Sequence, residues 1–238
     1  MKTLIYVLVL LVTSGCASVS LDSFSTDQLS SGYHWFNDNN GDGVNDVDGD
    51  SYSLTANRGW LTITAGERQD LWDETSKRGA PLMLRTAPSG KYFVETFVSA
   101  SPLLAPSQPL NSQIGLFVFE SYDNWLFFSL TNHDFPTPGT TNGLMVTKTV
   151  DGASSIVAGS GLREDFAFLK ILRGSGNKWK FYWKLQPDDA WELLTTVELD
   201  LGAHKVGMGV KTFNLDPSAA SNSGQANFDY LLIEVPKH

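Results

Sequence analysis

An acidic segment near the N-terminus, residues 38–50, has the composition and spacing of a calcium loop. Oxygen-bearing side chains stand at its first, third and fifth positions and glycine at its sixth, which is how calcium loops begin. Closely spaced carboxylates repel one another unless a cation lies between them. The segment therefore predicts a calcium ion in a structural role. The candidate ligands are Asp38, Asn40, Asp42, the carbonyl of Val44, Asp46, Asp48 and Asp50.

The loop departs from a complete calcium site at its twelfth position. Gly49 stands where an acidic side chain would finish the coordination, and Asp48 or Asp50 is expected to substitute for it or to help hold a second ion. The pattern is otherwise similar to the short calcium repeats of thrombospondin type 3 and dockerin modules. The alternative is a solvated turn rich in Asp, Asn and Gly, which is common in secreted proteins.

Three further side chains have the chemistry of a sugar site, which pairs flat aromatic faces with polar groups. Trp72 lies in the polar loop 69–74 and is the first candidate for an aromatic platform; alternatively, it caps the core. Trp125 begins a strand after a turn and faces either a ligand or the core. His133 lies in the Pro-rich loop 131–140, where it would border a groove or be an ordinary surface residue.

The sequence contains no recognisable catalytic motif, and no catalytic residue is assigned. Glu198 and Asp200 have the spacing that places two carboxylates on one side of a strand, but Gly202 and Ala203 stand where a further acid is needed. The histidines do not form a transition-metal motif, and the serines of the Gly-Ser-Gly segments do not lie in a nucleophile elbow. Whether the protein is an enzyme stays open, with a binding role favoured.

The first 17 residues have the pattern of an export signal. A positive residue precedes the apolar run 4–12, which is too short to cross a bilayer. Residues 13–16 resemble a bacterial lipobox, although Thr13 replaces the usual Leu, Val or Ile. The single cysteine of the chain, Cys16, is therefore predicted to carry a lipid; cleavage after Ala17 is the alternative. Alanine rather than aspartate after the cysteine favours the outer membrane, and a secreted or periplasmic protein is the other possibility.

The rest of the chain has the pattern of β-strands. Apolar and polar residues alternate with period two in about a dozen short segments bounded by turn residues. Segments 113–120 and 125–131 are apolar on both faces, so we expect them in mid-sheet with cover on each side. These features predict an all-β fold, a two-sheet antiparallel jelly-roll sandwich at 32–236, after a Ser-rich tether at 18–31. The alternative for this Ser-rich segment is the approach to the first strand.

The composition and the net charge limit the domain organisation and the partners that the protein can have. With 238 residues, 42% of them hydrophobic, the chain can bury the core of one domain. Lys and Arg number 17 against 26 Asp and Glu, and the net charge of −9 repels a phosphate backbone, so nucleic acid is excluded as a partner. Contact with a membrane is expected only through the N-terminal lipid.

Several motifs, taken in order, resemble one family of sandwiches. They are Trp60-Leu61-Thr62-Ile63, Asp70-Leu71-Trp72, Ala80-Pro81-Leu82-Met83-Leu84-Arg85, Lys91-Tyr92-Phe93-Val94-Glu95-Thr96, Gln113-Ile114-Gly115-Leu116, Asp123-Asn124-Trp125, Phe181-Tyr182, Trp191-Glu192-Leu193-Leu194 and Phe228-Asp229-Tyr230. The order is similar to that of the concanavalin A-like modules at the C-terminus of bacterial β-xylosidases and of related stand-alone domains of unknown function. The resemblance implies a concave sheet that holds carbohydrate, with Glu95 and Gln113 at polar positions that would point into it; alternatively, they are a satisfied pair on a sheet face.

Three hypotheses for the function follow. The leading one is an exported, lipid-anchored, calcium-stabilised and non-catalytic carbohydrate-binding sandwich. The second is a glycan-active hydrolase or lyase whose acids converge only in the folded chain. The third is a surface lipoprotein for protein interaction or assembly, which predicts an exposed apolar patch.

Overall fold

The computed structural model describes most of the chain from residue 18 onward. The described ranges are 18–36, 50–66, 70–72, 79–100, 112–132, 142–162, 164–212 and 224–236. They contain sixteen β-strands in two antiparallel sheets, and within them no helix is long and apolar enough to span a membrane. The predicted all-β sandwich of two antiparallel sheets is confirmed.

The two sheets bring together strands that are distant in sequence. In chain order the strands are β1 (Val19–Asp22), β2 (Tyr33–Phe36), β3 (Ser51–Ser53), β4 (Leu61–Ala65), β5 (Leu82–Thr86), β6 (Tyr92–Ser99), β7 (Ser112–Ser121), β8 (Asn124–Thr131), β9 (Asn142–Val150), β10 (Ala153–Leu162), β11 (Phe166–Arg173), β12 (Lys178–Lys184), β13 (Glu192–Glu198), β14 (Lys205–Thr212), β15 (Gly224–Phe228) and β16 (Leu231–Glu234). One sheet has seven strands in the order β10-β9-β8-β7-β14-β5-β2. The other has nine, in the order β13-β12-β11-β6-β15-β4-β3, with β16 beside β6 and β1 beside β16.

The sandwich core follows from the alternation of side chains along each strand. In β6, Val94 and Val98 are fully buried, whereas Phe93 and Glu95 on the opposite face are half-buried. The buried side chains of the nine-stranded sheet form one cluster with those of the seven-stranded sheet, such as Leu116 of β7. Burying one such aliphatic side chain contributes about 1.5–3 kcal/mol, so this core is the main source of stability.

Strands β7 and β8 lie in the middle of the seven-stranded sheet and are buried on both faces, as their composition predicts. Leu116 and Phe128 belong to the sandwich core, while Phe117 and Phe127 belong to a second hydrophobic cluster on the outer face. Leu71, from the chain segment that precedes β5, packs in this outer cluster. The outer face of the seven-stranded sheet is therefore partly covered by the chain segment that contains Leu71.

The predicted Ser-rich tether contains a strand. Val19–Asp22 forms β1 and pairs with β16, and Phe24 is buried in the sandwich core. The strand is hard to see in the sequence because polar residues, Ser20 and Asp22, lie on its half-buried side. Arg85 Nη1 donates to Ser20 Oγ at 3.0 Å, which holds the strand to the seven-stranded sheet. The segment is thus part of the fold from residue 19, so the prediction of a tether at 18–31 is corrected and the alternative, an approach to the sandwich, describes it.

A buried histidine joins the two sheets. The hydroxyl of Tyr92 donates to Nε2 of His204 over 2.6 Å, and Nδ1 of His204 donates to the carbonyl of Gly202 over 2.7 Å. This arrangement uses the neutral imidazole, with its proton on Nδ1. Burial is the largest influence on both rings: it lowers the pKa of His204 and raises the pKa of Tyr92.

Candidate ligand site on the seven-stranded sheet

The outer face of the seven-stranded sheet, called here the seven-strand face, carries buried polar and aromatic side chains in rows. Antiparallel register aligns residues of β14, β7 and β8 across the sheet. The first row consists of Lys211, Gln113 and Thr131. Further along the strands, Phe117 and Phe127 stack with their ring centroids 3.8 Å apart, and Thr147 of β9 pairs with Phe127. Chain segments far apart in sequence therefore meet on one face.

An ion pair lies on this face at the first row, near the end of β14. Nζ of Lys211 is 2.8 Å from Oδ1 of Asp70, and each side chain keeps only 2% of its surface exposed. The same ammonium lies 5.5 Å from the ring centroid of Trp72, 5.3 Å from that of Trp125 and 6.0 Å from that of Phe127. Aromatic faces attract cations, so one carboxylate and three rings hold the lysine.

The segment that supplies Asp70 and Trp72 also covers the sheet. An isolated bridge pairs Asp70 with Gly79, and Leu71 and Ala80 pack against the aromatic cluster. The backbone N–H of Leu71 donates to Asp70 Oδ1 over 2.7 Å. Asp70 therefore fixes its own segment through the same oxygen that binds Lys211.

Four buried side-chain atoms of the seven-strand face have no hydrogen-bond partner among the described residues. They are Oδ2 of Asp70, Oε1 of Gln113, Nε1 of Trp125 and Oγ1 of Thr147. An unmet buried polar group costs about 1–3 kcal/mol, so four on one face call for a physical explanation. Water or a polar ligand would supply the missing partners.

Glycines bring the strands of this face close together. A Cβ added to Gly115 would lie 2.0 Å from the carbonyl oxygen of Phe128 on β8, and one added to Gly209 would lie 2.5 Å from Leu82 and 2.8 Å from the ring of Phe117. Real side chains do not approach so closely, so only glycine fits at these positions. Because Gly209 has no side chain, the ring of Phe117 can occupy the space beside it.

The structure brings together three of the five residues predicted to bind a ligand. Trp72, Gln113 and Trp125 lie on the seven-strand face around Lys211. Trp125 is fully buried and Gln113 is 5% exposed, while Trp72 is half-buried and so is the most accessible of the three. His133 lies outside the described residues, as does the predicted lipidation site Cys16.

Glu95 lies elsewhere, on the outer face of the nine-stranded sheet, which we call the nine-strand face. Its Oε1 accepts from the hydroxyl of Tyr230 over 2.7 Å, and its Oε2 is 2.9 Å from Nζ of Lys170. That ammonium also lies 3.8 Å from the ring centroid of Trp191. Burial and the Glu95 charge raise the pKa of Tyr230. The expectation that Glu95 shares a concave surface with Gln113 is therefore wrong, because the two strands belong to different sheets; the alternative of a satisfied group on a sheet face describes Glu95.

Of the predicted calcium ligands, only Asp50 falls within the described residues, and the other six lie outside them. Asp50 is buried, and its Oδ1 accepts a hydrogen bond from the backbone N–H of Gly66. Thr212 Oγ1 donates to the carbonyl of the same glycine over 2.6 Å. Among the residues that the structure describes, no group of three or more His, Cys, Asp or Glu side chains is placed to hold a metal ion. The calcium loop stays a prediction.

The sequence analysis did not select Asp70, Lys211 or Thr147. Lys211 nevertheless carries a signal, since it is a charged residue that follows the apolar run 206–210 of β14, on the same side of the strand as Gly207 and Gly209. A lysine in that setting needs a buried partner. The partner itself could not be chosen, because any of the acids in the chain was available until the pairing of β14 with β5 and β7 was known.

Comparisons with known proteins support the fold. No protein-family model and no curated protein matches the chain. Among solved structures, it is similar to a GH43 protein from Bacillus licheniformis (TM-score 0.66, 18% identity, covering 90% of this chain and 38% of that chain). It is also similar to a xylan β-1,4-xylosidase from Bacillus halodurans C-125 (TM-score 0.65, 18% identity, 90% of this chain and 39% of that chain). A functionally unknown protein from Saccharomyces cerevisiae matches over 87% of this chain and 98% of its own, with a TM-score of 0.63 and 17% identity.

These matches define a class of β-sandwich. The chain spans less than two-fifths of the length of the two Bacillus proteins, whereas it corresponds to nearly the whole of the yeast protein. The same sandwich thus occurs as part of long carbohydrate-active chains and as almost an entire protein. At this level of identity the likeness establishes the fold, and function has to be argued from the site.

Proposed function

We propose that the protein is an exported carbohydrate-binding β-sandwich and that the sugar binds at the seven-strand face, beside Trp72. The observation that carries this proposal is the set of four buried polar atoms that have no hydrogen-bond partner among the described residues and lie on the same face as the aromatic rings and the Lys211–Asp70 ion pair. A sugar has an apolar ring face for an aromatic side chain and hydroxyls for the polar atoms. The similarity to GH43 structures agrees with a carbohydrate ligand.

A non-catalytic role fits the carboxylates of this face. Glycoside hydrolysis commonly uses two carboxyl groups, one on each side of the scissile bond. Asp50 and Asp70 are the buried carboxylates of the described residues, and Oδ1 of Asp50 is bound to Gly66. Of these two described carboxylates, Asp70 is the one that lies against the aromatic cluster. Binding without cleavage is therefore proposed ahead of hydrolysis.

We extend the proposal to a lipid on Cys16 and to structural calcium in the loop 38–50. Strand β1 begins at Val19, three residues after the cysteine, and the carbonyl of Ser18 accepts from Val235 N over 3.0 Å. A chain spans at most about 3.5 Å per residue, so a lipidated Cys16 would keep the sandwich within about 10 Å of the bilayer. Calcium in the loop would fasten its buried end, Asp50, at the entry to β3.

The binding proposal is tested with the chain produced through its own export signal and screened against a panel of polysaccharides, with calcium and with EDTA. Products are checked by mass spectrometry in the same wells. Binding without cleavage is expected. Cleavage would replace the proposal by the hydrolase or lyase reading, and the absence of binding to every glycan would favour a protein-interaction role.

A pair of tryptophan variants locates the site. Trp72→Ala is expected to weaken binding at least about tenfold, since an aromatic platform contributes on the order of 1–3 kcal/mol. Trp191→Ala is the matched control, because Trp191 is also half-buried and also lies against a lysine, but on the nine-strand face. Equal losses in the two variants would place the ligand elsewhere.

A further inference from the structure

We infer that the ligand of the seven-strand face is a neutral sugar, bound through hydroxyls that donate to Asp70 and Gln113, and that anionic glycans are excluded. This inference rests on the proposed function and adds the ligand class. It is carried by the chemistry of the four unpartnered atoms and by the charge balance around Lys211.

The unpartnered atoms demand a ligand that both donates and accepts. Oδ2 of an ionised Asp70 and Oε1 of Gln113 are acceptors, whereas Nε1 of Trp125 is a donor and Oγ1 of Thr147 is either. The amide nitrogen of Gln113 lies 3.6 Å from the sulfur of Met145, which leaves the amide oxygen for the ligand. A hydroxyl group meets all of these requirements. An apolar ligand would leave the four atoms unmet, and a carboxylate could only accept.

The charge balance of the face disfavours an anion. Lys211 is the one buried Lys or Arg among the described residues, and Asp70 already neutralises it over 2.8 Å. Among the described residues, the next cation on this face is Lys205, which lies at the far end of β14, against the ring of Phe36. A ligand carboxylate near Lys211 would therefore meet the negative Oδ2 of Asp70, and no described residue places a free positive charge beside it. In a site of low polarity that repulsion is strong.

The same geometry explains why the free oxygen of Asp70 is preorganised. Both neighbours of the carboxylate, Nζ of Lys211 and N of Leu71, bind Oδ1. The carboxylate is thus fixed in position while Oδ2 keeps its acceptor capacity. Hydrogen bonds to a charged acceptor are stronger than those between neutral groups, so a hydroxyl placed there is recognised more strongly than at an amide.

The test compares each glycan that binds with its own carboxymethylated form, which keeps the backbone and adds negative charge. The neutral form is expected to bind at least about tenfold more tightly. Titrations at about 0.15 M and about 1 M NaCl separate local exclusion from repulsion by the net charge of −9, because exposed charges more than about 3 Å apart are screened at the higher salt. The preference is expected to persist at high salt.

A variant tests the named acceptor. Gln113→Met keeps the size of the side chain and removes its oxygen, so the neutral glycan is expected to bind about tenfold more weakly. Glu95→Gln on the nine-strand face is the matched control and should bind as the unchanged protein does. Circular dichroism confirms that both variants are folded.

The outcomes separate this inference from the proposed function. Equal or tighter binding of the carboxymethylated glycans, or a preference that vanishes at high salt, would overturn the neutral-sugar inference and leave the binding proposal standing. Unchanged binding in Gln113→Met would also overturn it. If no glycan of either charge binds, the proposed function itself is wrong.

Discussion

Both outer faces of this sandwich carry a lysine–carboxylate pair beside tryptophan, and the two pairs differ in how fully their polar atoms are used. On the nine-strand face, both oxygens of Glu95 have partners, Tyr230 and Lys170, and the lysine and glutamate side chains keep 18% and 14% of their surface exposed. On the seven-strand face, Lys211 and Asp70 keep 2% each, and Asp70 uses one oxygen twice.

The difference separates a structural network from a candidate binding site. Both carboxylate oxygens of Glu95 have partners and the pair has partial access to water, so its polar atoms are satisfied without a ligand. The pair of Asp70 is deeper and is incomplete within the described residues, so it carries the larger energetic penalty unless something binds. Similar residue types thus play different roles because their burial and their remaining partners differ.

The largest expected effect comes from breaking the buried pair. Asp70→Asn removes the charge that compensates Lys211, and a buried unpaired lysine destabilises a protein by about 3–5 kcal/mol. The free energy of unfolding, measured by urea denaturation with tryptophan fluorescence, should fall by that amount. A loss below about 1 kcal/mol would show that the pair is solvated, as exposed pairs are.

A double variant checks the cause of that loss. Asp70→Leu combined with Lys211→Met replaces both charges by apolar side chains, so no buried charge is left alone. The double variant should be markedly more stable than Asp70→Asn. It should also lose glycan binding, since Oδ2 is gone.

The second effect tests the close packing of the seven-strand face. In Gly115→Ala, the new methyl group would lie 2.0 Å from a backbone oxygen of β8, which cannot rotate away. Overpacking of this kind destabilises by about 3 kcal/mol. Gly174→Ala, just after the end of β11, is the control, since the nearest atom to its added Cβ is 3.4 Å away. Similar urea midpoints for the two variants would mean that β7 and β8 can move apart.

The sequence allowed the fold to be predicted further than the site. Alternation identified the strands, and the two apolar faces of 113–120 and 125–131 placed them in mid-sheet, because each face of such a strand needs cover. Alternation cannot tell which sheet a strand joins. Glu95 and Gln113 were therefore assigned to one surface, although β6 and β7 lie in opposite sheets.

The ion pair was beyond sequence reasoning for a similar physical reason. Asp70 and Lys211 are far apart in the chain, and their contact depends on β14 pairing with both β5 and β7. Trp72 was selected because a tryptophan in a polar loop is unusual, and the structure places it over Lys211. A local sequence pattern indicates which residues are buried. It does not indicate which distant segments meet, and this site is assembled from four of them.

A smaller effect on stability is expected from pH, through His204, whose hydrogen bonds join the two sheets. Burial holds the folded-state pKa of His204 below its unfolded value of about 6.5. The unfolded chain then binds more protons as the pH falls through about 6.5, so the unfolding free energy should decrease in that range and stay level above about pH 7.5. Urea denaturation between about pH 5 and 8 measures it. His204→Gln should flatten this slope, and an unchanged slope would assign it to other groups.

The smallest loss of stability is expected for a variant of Glu95 on the nine-strand face. Glu95→Gln removes the charge opposite Lys170 but leaves an oxygen to accept from Tyr230, and Lys170 keeps its contact with the ring of Trp191 and some access to water. A loss of about 1 kcal/mol is expected, as for a pair that is partly screened by solvent. The measurement is the same urea denaturation as for Asp70→Asn. If the two variants lost equal stability, completeness of hydrogen bonding would not distinguish the two faces, and the case for a ligand at Asp70 would lose its physical basis.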